Sequence, residues 1–381
     1  MKSSSRPTND QVDRAVALLN RPENLRRFFE QLTNENWLEP LRSRGFFAKE
    51  LIPGRESLEG TRSFRFRPWP QSTYLLNVAA KAPKEVAEII VDLAATENVW
   101  VEQDFLDAAL HMPPHEAKLI ARVAQSWLRS GIPSLVPEKA AKLVEMLVDE
   151  EPAAAFQLAE AFLSVWLPKV ERKTDSKTGI SFPIHLEARS FVDTWHYHRF
   201  LTAEFRSLVN KQAAEAVGLL AKVLKGVLKL EERCSNQRTD DYSWIWYESL
   251  EADSFVETSP RNALVAGLRD AIKVAATSGT NGQKAILDLL VFQGCTIFSR
   301  FYLYFLSRCP ADQLNRVDEA LRDSRLYGQT GLGPELRRLL RAAFGMIPAG
   351  TRAEVMKIID RGPELSELSC LAQARNRLGT R

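Results

Sequence analysis

The chain has 381 residues, of which 45% are hydrophobic and 26% are charged, and this composition excludes a disordered chain. The net charge is only +3, because 51 lysines and arginines nearly balance 48 aspartates and glutamates. A protein whose main partner is nucleic acid usually has a larger basic excess. No apolar run reaches the roughly 18–20 residues that a membrane span needs, and no secretory signal follows Met1, so we expect a cytoplasmic protein.

The predicted elements begin with short helices. Helix candidates follow Asn9 and Pro22, and a third surrounds Trp37 and ends near Gly45. Residues 48–68 contain prolines, glycines and several arginines. This composition predicts a loop and not a strand.

Residues 70–167 contain a recurring phrase: a proline, an alanine four places later, and then two adjacent aliphatic residues. The three copies are Pro83 with Ala87 and Ile89-Ile90, Pro113 with Ala117 and Leu119-Ile120, and Pro137 with Ala141 and Leu143-Val144. Proline is tolerated in the first turn of a helix, and the apolar positions that follow mark one buried stripe. Recurrence at roughly 25–30 residues predicts stacked helix pairs.

Six helices are predicted in this part of the chain, over 71–81, 83–96, 101–111, 114–129, 137–149 and 152–166. Their short connections predict that neighbouring helices pack antiparallel. Tryptophans recur at nearly the same interval and are expected to fill gaps between the repeats. We therefore predict an all-α fold, an irregular α-solenoid of antiparallel helix pairs. It is closer to HEAT repeats than to units of fixed period, and we predict no β-sheet.

A polar stretch over 169–183 is the clearest linker, and it divides the chain into regions 1–168 and 184–381. Longer helices are predicted after it, over 186–208, 210–233, 260–278 and 283–307. Short helices are predicted to return over 311–323, 334–345, 350–361 and 364–377.

The cysteines and the catalytic motifs point to no particular chemistry. Cys234, Cys295, Cys309 and Cys370 are scattered without a CxxC pair, so we predict buried or idle thiols in place of a zinc ribbon or a disulfide framework. The chain has no phosphate-binding loop, no glycine-rich dinucleotide motif and no nucleophile elbow. We expect no enzyme, no cofactor and no metal.

Two aromatic segments are candidates for a surface that binds another protein, although a partly buried structural role is the alternative for both. The candidate residues are Trp195, His196 and His198 in the first segment, and Trp244, Trp246 and Tyr247 in the second. On a helix, His196 and His198 point roughly 200° apart and cannot both bind one metal without a bend. Acidic residues around the second segment argue against nucleic acid there.

Two basic clusters are candidates for binding a phosphate backbone, with a solvated surface as the alternative interpretation. The first is a stripe between Arg55 and Arg67 with interleaved phenylalanines, and the second occupies one predicted helix face. The candidate residues are Arg62, Arg65 and Arg67 in the stripe, and Arg337, Arg338 and Arg341 on the helix.

Four phrases of the sequence carry a family resemblance: residues 37–47 (WLEPLRSRGFF), 69–76 (WPQSTYLL), 243–246 (SWIW) and 358–363 (IIDRGP). Together they resemble helical-repeat regions of large bacterial proteins that, in some cases, accompany ATPase or nuclease modules in anti-phage defence. The resemblance implies a sensing or scaffolding array whose effector lies on a partner or on another part of a longer chain. It implies no catalytic residue.

Three functional hypotheses follow. The leading one is a non-enzymatic helical-repeat scaffold or sensor that binds a protein partner or a larger complex, in the setting of bacterial antiviral defence. The alternative is a helical array that binds nucleic acid through the two arginine clusters. The third is an enzyme with a site near residues 195–199, where His196 or His198 would be the general base.

Overall fold

Helices dominate the computed structural model of the chain. The structure describes residues 6–19, 21–57, 64–132, 134–168, 187–234, 240–251, 259–277, 279–291, 293–329 and 331–362. Within these ranges only four two-residue strands accompany the helices, so the all-α prediction is confirmed. The chain divides into two compact units. Unit 1 comprises Met1–Ser164 and Ser190–Lys211, and unit 2 comprises Val165–Arg189 and Gln212–Arg381.

Five of the eleven described helices of unit 1 begin with proline, whose missing N–H group has no partner at a helix start in any case. The described helices are α1 (Asn9–Leu18), α2 (Pro22–Gln31), α3 (Leu38–Arg42), α4 (Pro70–Val78), α5 (Pro83–Asp92), α6 (Val99–Leu110), α7 (Pro114–Trp127), α8 (Val136–Leu147), α9 (Pro152–Phe162), α10 (Thr194–Thr202) and α11 (Phe205–Lys211). Short 3₁₀ turns flank α3.

The central helices of unit 1 pack in two alternating series. Helices α2, α4, α6 and α8 contact one another in that order, and α5, α7 and α9 form the second series. The series also contact each other through α6 and α7, α7 and α8, and α8 and α9. Contact between every second helix is the pattern that stacked helix pairs produce. The predicted solenoid and its HEAT-like class nevertheless stay predictions.

The proline phrase marks helix starts as predicted. Helix α5 begins at Pro83 and buries Ala87, Ile89 and Ile90. Helix α8 carries its proline in the first turn and buries Ala141, Leu143 and Val144. Helix α7 begins at Pro114, as its predicted range does, with Pro113 as its N-cap, and buries Ala117 and Ile120.

Unit 2 is built around one buried helix. Its described helices are α12 (Ala213–Leu230), α13 (Ser243–Trp246), α14 (Pro260–Ala275), α15 (Thr280–Val291), α16 (Thr296–Arg308), α17 (Leu314–Arg322), α18 (Ser324–Gly328), α19 (Gly333–Ala343) and α20 (Ala349–Arg361). Helix α16 contacts α13, α14, α15, α17 and α19. Nine of its thirteen residues are buried and are distributed around the helix, which is typical of a core helix, and one of them is an arginine, Arg300.

The prediction of no β-sheet needs one correction. Strands β1 (Glu56–Ser57) and β2 (Phe64–Arg65) form an antiparallel pair inside the predicted loop over 48–68. Strands β3 (Val165–Trp166) and β4 (Arg189–Ser190) form the second small sheet. Two-residue strands are too short to give the alternating pattern by which a sequence indicates a strand.

Two predicted long helices are interrupted. The helix predicted over 283–307 is divided into α15 and α16 near Gly294, whose φ of +76° lies in the left-handed region that favours glycine. The stretch predicted as one helix over 186–208 contains β4, α10 and the start of α11. The sequence pattern placed residues 190–211 in the C-terminal region, whereas they group with unit 1. The predicted linker over 169–183 and the predicted helix over 364–377 lie outside the described residues.

Candidate functional site

The first aromatic segment begins α10 at the surface of unit 1. Asp193 is the N-cap of this helix, and its Oδ1 atom accepts hydrogen bonds from the backbone N–H groups of Trp195 and His196 at 3.1 and 3.2 Å. Trp195 is 60% exposed. Tyr197 is buried and donates its hydroxyl to the carbonyl oxygen of Leu163 at 3.2 Å. The helix is therefore anchored by Tyr197 while Trp195 faces solvent.

Two neighbours hold the exposed Trp195 ring in place. The His196 ring meets it edge-on with centroids 4.7 Å apart, and the Arg199 guanidinium carbon lies 5.2 Å from its centroid. His196 Nδ1 is in turn 2.5 Å from Asp193 Oδ2. Partial burial opposes ionisation of Asp193, but its hydrogen bonds to His196 hold the pKa of the carboxyl below its usual range. The indole thus has two defined neighbours while most of its surface faces solvent.

A cavity of about 350 Å³ lies beside His196. Its walls come from the start of α8, including Val136 and Pro137, and from the chain that leads into α10, including Phe191 and Val192. Leu135, at the N-cap of α8, is 50% exposed. Unit 1 therefore combines an exposed tryptophan with a largely apolar groove nearby.

The two histidines of this segment are not brought together. His196 lines the cavity, whereas His198 is half-buried and does not. In the part of the chain that the structure describes, no group of three or more histidine, cysteine, aspartate or glutamate side chains could hold a metal ion.

The second aromatic segment is packed into unit 2. Tyr247 is buried, and its carbonyl oxygen accepts a hydrogen bond from Arg300 Nη1 at 2.6 Å. Trp246 donates its indole N–H to the carbonyl oxygen of Asp241 at 2.9 Å, and the Arg261 guanidinium carbon lies 4.6 Å from its ring centroid. These contacts fit the alternative interpretation, in which the segment is partly buried and has a structural role. Ile245, which was not a candidate, is the most exposed residue of the segment at 64%.

Trp244 is also half-buried, and it packs closely against Gly331. A Cβ atom on this glycine would lie 2.5 Å from the Trp244 ring. The segment thus joins the loop before α19 to the centre of unit 2.

The arginine stripe of unit 1 is partly neutralised. Arg65 and Arg67 both pair with Glu56, at 3.1 and 2.8 Å between Nε and a carboxylate oxygen. The hydrogen bond from Arg65 is the main cause that lowers the pKa of Glu56. The Arg55 guanidinium carbon lies 5.0 Å from the Phe64 ring centroid. The third candidate of the stripe, Arg62, lies outside the described residues.

The other arginine cluster opens onto a cavity of about 670 Å³ in unit 2. The cavity is bounded by α19, by α16 and by residues 249–251. Its lining consists of Ser249, Leu250, Glu251, Tyr304, Ser307, Pro334, Glu335, Arg337, Arg338, Arg341 and Ala342. The structure therefore brings all three predicted arginines of this face to one concave surface.

Arg338 is fixed by the cavity wall. Its Nη1 atom pairs with Glu251 Oε1 at 2.7 Å, its Nε donates to Ser307 Oγ at 3.2 Å, and its guanidinium carbon lies 5.2 Å from the Tyr304 ring centroid. Burial is the main cause that raises the pKa of Tyr304, and Glu251 raises it further. Arg337 and Arg341 are exposed, and neither forms an ion pair with any residue that the structure describes.

Sequence reasoning missed a buried ion pair beneath this cavity. Arg300 donates from Nε and Nη2 to the Glu335 carboxylate at 3.1 and 2.8 Å, and both side chains are almost fully buried. Arg300 also donates to the carbonyl oxygens of Tyr247 and Glu248. A lone arginine within the apolar run of a predicted core helix was the signal, because a buried charge requires a partner.

The cysteine prediction is wrong for two of the four residues. Cys234 and Cys295 form a disulfide with Cα atoms 6.2 Å apart, joining the end of α12 to the start of α16. Cys309 is a buried free thiol, and burial raises its pKa to about 12. Cys370 lies outside the described residues. Spacing could not reveal a bond between residues 61 apart in the sequence.

No described helix is long and apolar enough to cross a membrane. The chain matches no protein-family model, no curated protein and no solved structure.

Proposed function

We propose that this protein is a non-enzymatic helical scaffold or sensor that binds a protein partner through the surface around Trp195. The observation that carries the proposal is an indole that is 60% exposed and yet held by His196 and Arg199. Tryptophan and arginine are enriched among residues that dominate binding energy. A side chain that is already ordered loses little conformational entropy on binding.

The partner expected for this surface has an apolar pocket for the indole. An apolar side chain of the partner would fit the groove lined by Val136 and Phe191, whereas Arg199 is already paired with Glu204 at 3.5 Å. The alternating helix series of unit 1 favours this function, since stacked helices offer extended binding surfaces.

The test is quantitative affinity purification of the tagged chain from its native cells, with Trp195→Ala as the variant. The matched control is Trp100→Ala, because Trp100 is 50% exposed in the same unit. Partners recovered with the original chain and the control should be lost with Trp195→Ala, and affinity measured with the purified partner should fall about 30-fold or more. Recovery of the chain alone, or equal recovery with all three proteins, would contradict the proposal.

The enzyme hypothesis has weaker support. The Asp193–His196 pair resembles an oriented general base, but the same carboxylate caps α10. No serine hydroxyl among the described residues donates to His196; Ser190 Oγ, for example, donates to the carbonyl oxygen of Val192. The pair is therefore explained by the start of the helix.

Nucleic-acid binding, the alternative function, has less support in unit 1. Arg65 and Arg67 both pair with Glu56, and this pairing partly neutralises their positive charge. Membership of a defence assembly depends on the sequence resemblance alone and enters no step of the proposal. A cytoplasmic location stays a prediction. The Cys234–Cys295 disulfide argues against this location, because disulfides are rare in the cytosol and are usually transient or redox-sensing there.

A further inference from the structure

The cavity in unit 2 contains two positive charges that its described lining does not compensate. Glu335 is occupied by Arg300, and Glu251 is occupied by Arg338. Both acidic residues of the lining are therefore neutralised by arginines. Arg337 and Arg341 remain, with no ion-pair partner in the described ranges.

These two arginines are placed to act together. They are four residues apart on α19, a spacing that puts their side chains on one face of a helix. Both are exposed, and both line the same cavity. A guanidinium group presents a planar fork of N–H donors that matches the oxygens of a phosphate group.

The rest of the cavity suits a small organic molecule. Its volume of about 670 Å³ is in the range of ligand pockets, which is roughly 300–1,000 Å³. Pro334 and Ala342 supply accessible apolar wall, whereas Leu250 and Tyr304 support the lining from almost fully buried positions. Ser249 Oγ accepts from the Glu251 N–H at 3.2 Å, which leaves its hydroxyl proton available for a ligand.

We propose that this cavity binds a small phosphorylated molecule with at least two negative charges. The phosphate oxygens would accept hydrogen bonds from Arg337 and Arg341, and the organic part would lie against Pro334 and Ala342. This site is separate from the protein-binding surface of unit 1 and does not depend on it.

A small ligand is favoured over a nucleic-acid strand for two reasons. The uncompensated arginines number two and face a concavity, whereas a phosphate backbone is usually followed by an extended basic stripe. The net charge of the whole chain is only +3.

The test is isothermal titration calorimetry on the full chain with inorganic pyrophosphate and with adenosine diphosphate, at matched ionic strength. The variant is Arg337→Gln with Arg341→Gln, and the matched control is Arg352→Gln on α20, which does not line the cavity. A second double variant, with both residues changed to lysine, retains the charge without the fork. Circular dichroism checks that each variant folds.

The original chain and the control should bind both probes. The glutamine variant should bind about a hundredfold more weakly, with the lysine variant in between. Equal binding by the glutamine variant, or no binding of either probe to the original chain, would overturn the proposal. Binding of a labelled single-stranded oligonucleotide without binding of either small probe would replace it with the nucleic-acid alternative.

Discussion

The two units bury carboxyl groups in different ways. In unit 1, Glu102 on α6 is 1% exposed, and its Oε2 atom has no hydrogen-bond partner among the described residues. Burial, reinforced by the charge of Glu97, raises the pKa of Glu102 to about 8. In unit 2, Glu335 is held by Arg300 and Glu231 by Arg261. Glu102 of unit 1 is thus kept neutral by burial, whereas Glu335 and Glu231 of unit 2 are each paired with an arginine.

This difference parallels the packing of the helices. In unit 1, every second helix is in contact, and buried Asn98 adds hydrogen bonds to the carbonyl oxygens of Pro53 and Arg67. In unit 2, charged groups join elements that are distant in sequence: Arg300 reaches Tyr247 and Glu335, and Asp241 accepts from the Ile297 N–H at 2.8 Å. We therefore expect unit 2 to depend strongly on its buried ion pairs, and Glu102 to make unit 1 sensitive to pH.

The largest effect is expected from Glu335→Gln. This change leaves the buried Arg300 without a counter-charge, and loss of one partner of a buried ion pair costs about 3–5 kcal/mol of the free energy of unfolding. Urea denaturation followed by circular dichroism measures it. The control is Glu138→Gln, which breaks the surface pair with Lys142 and should cost less than about 1 kcal/mol. Equal losses in both variants would show that the pair is not a specific requirement of unit 2.

Removal of the disulfide by Cys234→Ala with Cys295→Ala should cost about 2–4 kcal/mol, because the bond closes a long loop. Urea denaturation with and without reductant is the measurement. Reductant should destabilise the original chain by a similar amount and leave the double variant unchanged. An original chain insensitive to reductant would show that the bond contributes nothing to stability.

The pH dependence of unit 1 should come mainly from Glu102, with Asp104 acting in the same direction because burial raises its pKa too. Its pKa of about 8 in the folded state is above the usual value, so the folded state binds the proton more tightly than the unfolded state. The free energy of unfolding therefore falls as the pH rises from about 4.5 to about 8, by up to about 1.4 kcal/mol per pH unit.

Glu102→Gln removes this titration and should flatten the dependence by about 2.7 kcal/mol over two pH units. Urea denaturation at a series of pH values checks the slope. Parallel curves for the two proteins would mean that Glu102 is already ionised in the folded state.

The smallest effect is expected from Gly331→Ala. The φ of +99° at this residue is unfavourable for alanine, and the added Cβ would contact Trp244. We expect a loss of about 1–2 kcal/mol in thermal or urea unfolding. Gly345→Ala is the control, since a Cβ there meets nothing within 4 Å. If both variants are as stable as the original chain, the contact between Trp244 and Gly331 does not restrain unit 2.

The sequence predicts helix starts well where the residues that determine them lie within the same helix. Proline in the first turn and the apolar stripe behind it lie within one helix, and they locate α5, α7 and α8 to within a residue at their starts. The interval between tryptophans predicts their burial less well, because it does not determine whether each one lies on the buried or the exposed face of its helix. Trp69 and Trp127 are buried as expected, whereas Trp100 is half exposed.

The candidate sites could be predicted only in part, for a related reason. The sequence identifies two aromatic segments, but only the tertiary structure exposes Trp195 and buries Tyr247. The helical spacing of Arg337 and Arg341 is visible in the sequence. The sequence does not show that their positive charges lack an acidic partner, because this depends on the pairing of Arg300 with Glu335, 35 residues away in the chain.

The restraints on helix α16 should determine how its amides exchange with solvent in unit 2. Its N-terminus is held by Cys295 and by Asp241, its middle by Arg300, and its last turn by Ser307 through Arg338. A helix restrained along its whole length cannot fray independently of its surroundings. In hydrogen–deuterium exchange, the amides of α16 should therefore exchange only through global unfolding of unit 2, and they should be the slowest amides in that unit.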